Sequence, residues 1–425
     1  MDDKKQQPSV TNVQPWKHIF WPTLAFFMGF AGLSIYGPLV PKFVHFMHLS
    51  PLRAGILASV PNLSGSLLRL PFGAWTDPIG FKRPFQILLI LALLGIIGVI
   101  WVIGTQYPLH LHHLFGLLLL LGVLVGAGIA TFPVGIAQIS RLTTNMNQGL
   151  FLAFYAGIGN MAPGLFALLL PYAFAHEGPV RSYLLWALGL MIVLILYTLK
   201  SPKLPNRREM SSLQSCRFAL GTQGTWPLTF LYFLSFGGFL ALVAWLPEFY
   251  SATYHVSLIL AGFFTLMFTA ITSLIRIAGG WLADQFSAKK VIFGALIIIA
   301  IAAAIVSTSS AFPWALGGIG LMGMGMGIQN GAVFKMVPLL IPDAVGGASG
   351  IIGGLGALGG FFIPPALALI GGSQHNSSGF IVFMILAVMG LGVHRFLHPS
   401  SPSVPSANIG NTSLVESVEW KWDGE

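Results

Sequence analysis

The sequence contains little charge and a single cysteine. Only 8% of its 425 residues are Asp, Glu, Lys or Arg, whereas soluble proteins contain about 25%. Since 55% of the residues are hydrophobic, a water-soluble fold of this composition would expose apolar surface almost everywhere. The lone Cys216 excludes a disulfide bond within the chain. We therefore expect a protein that folds in a lipid bilayer.

Several classes of function are excluded by other absences. The basic residues lie between apolar runs and form no patch, so the net charge of +9 does not indicate nucleic acid binding. There is no nucleotide-binding motif, and the tails are too short for a signalling domain. All twelve acidic residues, Glu248 among them, are expected in loops, tails or helix ends. A core without an acid/base pair, a nucleophile or a metal cluster predicts no enzyme, no metal and no cofactor.

Long apolar runs dominate the rest of the sequence. Each has the 17 to 25 residues that a helix needs to cross about 30 Å of hydrocarbon. The first run, Ile19 to Leu39, is too long for a signal peptide, and we expect it to be retained. We predict an all-α membrane protein with twelve transmembrane helices, beginning near Lys17, Leu52, Phe85, His113, Asn147, Arg181, Thr225, Ser257, Ala288, Pro313, Ala344 and Ser378.

The basic residues predict the orientation of these helices. An even number of spans places both termini on one side, and that side would hold sixteen lysines and arginines against three on the other. The positive-inside rule makes it the cytoplasmic side. The longest polar interruption divides the spans six and six. The predicted segments are a cytoplasmic tail (1–16), a six-helix half (17–200), a cytoplasmic linker (201–220), a second half (221–398) and a disordered cytoplasmic tail (399–425).

One half repeats the other at a shift of 207 residues. This shift superimposes two basic pairs, at 82–83 and 289–290, and three single residues: Arg69 on Arg276, Gly73 on Gly280 and Asp77 on Asp284. Two six-helix halves related by a repeat are the architecture of the major facilitator superfamily. The Gly-x-x-x-Asp pattern followed by a basic pair also resembles that superfamily's signature loop. We assign these glycines and aspartates structural and gating roles.

Arg69 and Arg276 are the only charges that we place well inside a span. An arginine at a helix centre costs about 2.5–3.5 kcal/mol on insertion scales. Arg69 precedes Asp77 by eight residues, about 12 Å along the helix, which is too deep for easy snorkelling. Pairing with backbone carbonyls is one alternative. The other is that both guanidiniums face one cavity and bind an anion, since arginine's fork of donors fits a flat oxyanion.

Two glycine-rich stretches resemble a more specific family. Phe154–Gly164 and Ile352–Pro364 resemble the first and second nitrate signatures of the nitrate/nitrite porter family, within the same superfamily. Three more stretches are similar to that family: 65–72, 232–237 and 331–338. The likeness therefore covers nearly all of the membrane part.

This resemblance implies a set of substrate-binding residues. Arg69 and Arg276 would clamp the anion, and Asn160 and Tyr232 would add polar contacts. Phe132 and Phe236 would pack on the flat faces of the ion, although ordinary packing explains a phenylalanine equally well. The glycines would let helices slide or tilt in alternating access, or simply pack closely: Gly157, Gly159, Gly164, Gly353, Gly354, Gly356, Gly359 and Gly360.

The predicted function is secondary transport of nitrate and/or nitrite by alternating access, in a bacterial inner membrane and as a monomer. Because the core lacks a titratable carboxylate, nitrate/nitrite exchange is favoured. The alternatives are proton-coupled nitrate symport and transport of another small anion. The preference between nitrate and nitrite stays open.

Overall fold

A computed structural model describes residues 15–108, 110–142, 148–202, 212–372 and 377–397. Every regular element in these ranges is helical. Residues 1–14 of the predicted N-terminal tail and the whole predicted tail 399–425 lie outside the described residues. The predicted helix start at Asn147 also lies outside them, and the helix is described from Gln148.

The N-terminal half contains six spans, numbered here in chain order. Spans 1, 2 and 4 each consist of two helices, and spans 3, 5 and 6 of one. Their bounds are α1 Pro15–Phe30 and α2 Val40–Met47; α3 Pro51–Leu67 and α4 Arg69–Ile79; α5 Lys82–Gln106; α6 Phe115–Gly126 and α7 Thr131–Leu142; α8 Gln148–His176; and α9 Pro179–Lys200.

The C-terminal half contains spans 7 to 12, of which spans 7 and 11 each consist of two helices. A short helix, α10 Ser212–Gly221, precedes it inside the predicted linker and packs on span 11. The spans are α11 Thr225–Tyr232 with α12 Gly238–Tyr254; α13 Leu258–Gln285; α14 Ala288–Thr308; α15 Phe312–Leu340; α16 Val345–Ala357 with α17 Gly359–Gly371; and α18 Ile381–His394.

Ten of the twelve spans are long and apolar enough to cross a membrane. The other two, spans 2 and 10, carry polar residues in their interiors, including Asn62 and Arg69 in span 2 and Gln329 and Asn330 in span 10. These four side chains are buried. The chain is thus a multi-pass membrane protein in which the two least apolar spans keep their polar groups inside the bundle.

Five spans depart from regular α-helix near their middles. Span 1 contains 3₁₀ turns at 31–34 and 37–39, and span 4 has one at 127–130. Span 7 contains a π-helical turn, Phe233–Gly237. Spans 2 and 11 are each divided at a single leucine, Leu68 or Leu358. Such irregular turns are common at functional sites in bundles and leave backbone groups available for new contacts.

The position of one acidic residue differs from the prediction. Glu248 lies six residues before the end of α12 and is 2% exposed. The expectation that every acidic residue lies in a loop, tail or helix end is therefore wrong for Glu248. Glu248 lies inside the helix because α12 continues through Tyr254.

The two halves touch closely at the end of the bundle opposite the termini, called here the far side. A Cβ on Gly55 of span 2 would lie 2.8 Å from Cα of Pro365 in span 11. The residue 207 positions later, Gly262 of span 8, abuts the carbonyl of Ala167 in span 5 in the same way. Backbone cannot give way as a flexible side chain can, so these contacts require glycine. The far side is closed in this structure.

Candidate functional site

Arg69 and Arg276, the two arginines inside spans 2 and 8, both lie next to one aromatic ring. Cζ of Arg69 lies 5.2 Å from the ring centroid of Phe236, and Cζ of Arg276 lies 5.9 Å from the same centroid. The two guanidinium carbons are therefore no more than about 11 Å apart. Phe236 belongs to the π-helical turn of span 7, which positions its ring between spans 2 and 8. The repeat thus brings one arginine from each half to a common centre.

Most of the donors of these guanidiniums are unused. Arg69 is 3% exposed, and its Nη1 donates to the carbonyl oxygen of Gly353 in span 11 at 3.1 Å. Its Nε and Nη2, and Nη1 of Arg276, are buried without a hydrogen-bond partner among the described residues. Backbone pairing therefore accounts for one donor of Arg69 only. In a membrane interior, unpaired cationic donors are costly unless an anion satisfies them.

Aromatic rings enclose the pair. The Phe132 ring lies 5.5 Å from Cζ of Arg69, and the Phe334 ring lies 5.8 Å from Cζ of Arg276. Tyr232 stacks on Phe236 with centroids 4.9 Å apart and meets Phe334 edge-on at 5.0 Å. Ring faces stabilise nearby guanidiniums by about 0.5–2 kcal/mol each. No role was predicted for Phe334 from the sequence, although it lies in the stretch 331–338 that resembles the porter family.

Tyr232 places a hydroxyl beside the arginines. Its side chain is fully buried. The guanidinium of Arg276 lies close to this hydroxyl, but the geometry falls short of a hydrogen bond. The hydroxyl is thus held near both charges and remains able to donate to a further group.

Asn160 lies beside span 8. Spans 5 and 8 run antiparallel, and a Cβ on Gly164 would lie 2.6 Å from Thr269. Asn160 precedes Gly164 by four residues and Arg276 follows Thr269 by seven, so in these antiparallel helices both residues lie on the side of this contact that faces the termini. Oδ1 of Asn160 is buried without a partner in the described part of the chain. Asn160 therefore lies on the same side of this contact as Arg276, and no hydrogen bond joins the two side chains.

The signature glycines fall into two groups. A Cβ would collide with a neighbour at five of them: Gly159 with Phe26, Gly164 with Thr269, Gly356 with Tyr232, Gly359 with the carbonyl of Phe233, and Gly360 with Leu240. Gly157 and Gly280 have open space around the Cβ position, and at Gly73 the nearest atom is 3.7 Å away. Close packing accounts for the first group. The second makes no close helix contact in this conformation.

Asp284 forms an ion pair with Lys335 of span 10. Both side chains are about half exposed, so water screens the pair and its contribution to stability is about 1 kcal/mol or less. Asp284 therefore contacts a neighbouring helix within its own half. The side chain of its repeat counterpart, Asp77, lies outside the described residues.

Comparison with known proteins agrees with this architecture. The family model for the Major Facilitator Superfamily matches residues 22–364 and 228–418. The bacterial spinster homologue in an inward-facing conformation has a TM-score of 0.68 at 14% identity, covering 91% of this chain and 97% of its own. The D-xylose-proton symporter has a TM-score of 0.71 at 16% identity, covering 90% and 97%. At these identities the structures show the fold alone.

Two relatives match most of this chain in sequence. The probable nitrate transporter NarT of Staphylococcus haemolyticus is 30% identical over 377 residues, which are 87% of this chain and 92% of that protein. The probable nitrate/nitrite antiporter NarK1 of Thermus thermophilus is 29% identical over 419 residues, 88% of this chain and 90% of that protein. The predicted likeness to nitrate/nitrite porters is confirmed, and the chain belongs to the major facilitator superfamily of membrane transporters.

Proposed function

We propose that this chain carries nitrate and/or nitrite across the bacterial inner membrane. One observation supports this most directly: two guanidiniums, one from each half, face the same phenylalanine ring with buried, unpaired donors. The names of the relatives, nitrate transporter and nitrate/nitrite antiporter, agree with an anion of this kind.

The two arginines are surrounded by Tyr232, Phe132, Phe236 and Phe334, and this set of six residues is called the cage here. Its chemistry fits a flat monovalent oxyanion. Nitrate and nitrite are planar and weakly hydrated, so an aromatic wall costs them less than it would cost phosphate or sulfate. Guanidinium forks supply directed donors that remain protonated at any working pH. Phe132, Phe236 and Phe334 replace part of the water around the guanidiniums, which strengthens the attraction of these charges for the ion.

Alternating access follows from the closed far side. The glycine contacts seal that end, while Arg276, Phe132 and Phe334 remain partly exposed. We infer that the site opens toward the termini, which the excess of basic residues assigns to the cytoplasm. A rocking motion about the central site would close this entrance and separate the halves at Gly55 and Gly262. We propose that one monomer suffices, because each chain supplies both arginines.

Exchange is the coupling mode that the central site favours. The cage consists of arginines, a tyrosine and phenylalanines, and neither guanidinium forms an ion pair in the described part of the chain. Such a site has no group that can bind a proton along with the anion. After release of the first anion, the empty site carries two positive charges. A second anion, moving in the opposite direction, would then be needed before the site could open to the first side again.

The direct test uses purified protein in liposomes loaded with nitrite. Uptake of labelled nitrate is measured with and without an inward proton gradient. Exchange predicts uptake that requires internal nitrite and ignores the proton gradient. Absence of nitrate and nitrite uptake under every gradient, from folded protein, would contradict the proposed substrate.

Proton symport is the second candidate, and Glu248 favours it. This carboxyl is buried in span 7, twelve residues or about 18 Å beyond Phe236. It can therefore influence the opening and closing of the far side, but it cannot touch the anion. Helix α12 packs against α2, which carries Lys42 and His45. Symport predicts that uptake into nitrite-free vesicles is driven by the proton gradient and is lost in Glu248→Gln. Exchange predicts that Glu248→Gln leaves nitrite-driven nitrate uptake within about twofold.

Phe236 provides a test of the cage itself. We expect Phe236→Leu to raise the KM for nitrate roughly tenfold, because the ring contacts both guanidiniums and supports Tyr232. Phe239→Leu is the matched control, since Phe239 lies three residues later on the same span and stacks on Phe236 and Phe268. The measurement is the concentration dependence of initial uptake. Equal KM values in the two variants would show that Phe236 serves packing alone.

A further inference from the structure

Buried serine and threonine hydroxyls in the described residues are almost all hydrogen-bonded. In the described residues, fifteen of seventeen buried serine and threonine side chains have a partner, usually a backbone carbonyl three or four residues earlier. The two exceptions are Ser66 and Ser273. These side chains are 1% and 6% exposed.

The two exceptions are repeat equivalents. Ser66 and Ser273 are separated by the same 207 positions that relate Arg69 to Arg276. Each serine precedes its arginine by three residues. Residues three apart lie on one face of a helix, about one turn from each other. Each half therefore presents an arginine and an unpaired hydroxyl side by side.

The neighbours show that local helix geometry does not leave a hydroxyl unpaired. On span 8, Thr265, Thr269 and Thr272 all donate to the carbonyl four residues earlier, at 2.7–2.8 Å. Ser59 on span 2 does the same. A buried polar group without a partner costs about 1–3 kcal/mol. Two such costs at equivalent positions beside unpaired guanidinium donors indicate a shared ligand.

Both serines lie on the far-side turn above the arginines, at the junction of the halves. A Cβ on Gly354 of span 11 would lie 3.4 Å from the Ser66 carbonyl, and the adjacent Gly353 accepts from Arg69. Ser273 lies one turn beyond Thr269, which a Cβ on Gly164 of span 5 would meet across the halves at 2.6 Å. The hydroxyls therefore extend the cage by one turn toward the far side.

We propose that Ser66 and Ser273 each donate a hydrogen bond to the transported oxyanion. The binding site then consists of two matched half-sites, each with one guanidinium and one hydroxyl on adjacent turns. This inference rests on the proposed function, because it takes nitrate or nitrite as the ion.

The test is the affinity of the full-length protein for nitrate, measured as the nitrate concentration that half-maximally raises the melting temperature, and as the KM for uptake. Ser66→Ala and Ser273→Ala should each weaken nitrate binding about tenfold, the size expected for a hydrogen bond to a charged group. Ser66→Thr and Ser273→Thr keep the hydroxyl and should stay within about threefold of the wild type. Ser66→Cys and Ser273→Cys, which keep the volume but donate weakly, should resemble the alanine variants.

Two matched controls separate this role from helix packing. Ser59→Ala on span 2 and Thr265→Val on span 8 each remove a buried hydroxyl that is bonded within its own helix. Both should keep the wild-type affinity. If the serine and control variants bind nitrate equally, the hydroxyl contacts are refuted while the proposed function stands. If the wild type binds and transports neither nitrate nor nitrite, the proposed function fails, and the hydroxyl proposal fails with it.

Discussion

Arg69→Lys and Arg276→Lys should each lower initial nitrate uptake at least about a hundredfold, equivalent to roughly 2.7 kcal/mol. The positive charge is retained, so the loss measures the guanidinium fork. Lysine presents a single ammonium and cannot direct two donors at a planar ion. Arg69 has a second task, because its Nη1 also bonds Gly353 across the halves. Arg69→Lys should therefore also lower the melting temperature of the ion-free protein more than Arg276→Lys.

Arg53→Lys is the matched control for both arginines. Arg53 lies on the same span as Arg69, and its Cζ is 5.6 Å from the Phe115 ring, but its side chain is exposed. Its replacement should leave uptake unchanged within about twofold, as for a screened surface charge. Wild-type uptake in either buried-arginine variant would contradict the clamp. Loss of uptake in Arg53→Lys as well would mean that the lysine changes act through folding or insertion.

The sequence identified the arginines because a charge inside an apolar run is conspicuous and the repeat doubles the signal. Phe236 and Tyr232 were predicted only through family resemblance, since aromatic residues are common in these spans and nothing in the sequence marks these two. Phe334 was missed for the same reason. Its position beside Arg276 depends on where span 10 packs, and its contacts with Tyr232 and Arg276 join residues about 100 and 58 positions away.

Glu248 and the two serines show two other limits of the sequence. Glu248 was misplaced because a carboxylate suggests the end of a span, whereas this helix continues for six residues beyond it. Ser66 and Ser273 look like any other serine in a membrane helix. Only the bonds made by the other buried serine and threonine hydroxyls distinguish them, and those bonds are known from the folded structure alone.

Larger side chains at the far-side glycines, Gly55 and Gly262, should stop transport. Gly55→Leu and Gly262→Leu should each reduce transport at least about fiftyfold while nitrate binding changes less than about threefold. Leucine favours a helix more than glycine does, so spans 2 and 8 still form. Its side chain would overlap Pro364 and Pro365 in one case and Ala167 in the other. Because the obstacle is backbone, the halves cannot close at this end, and alternating access stops with the far side open.

A cysteine reporter can show the trapped state directly. In a Cys216→Ser background, Ser59→Cys places a thiol one turn from Gly55, at a side chain that is fully buried in the closed structure. A membrane-impermeant maleimide added outside spheroplasts should label it much faster with Gly55→Leu or Gly262→Leu than without. Gly294→Leu is the control, since the Cβ position there meets open space. Transport lost without faster labelling would mean that the leucines disturb packing and do not hold the gate open, whereas transport retained in both variants would refute closure through these glycines.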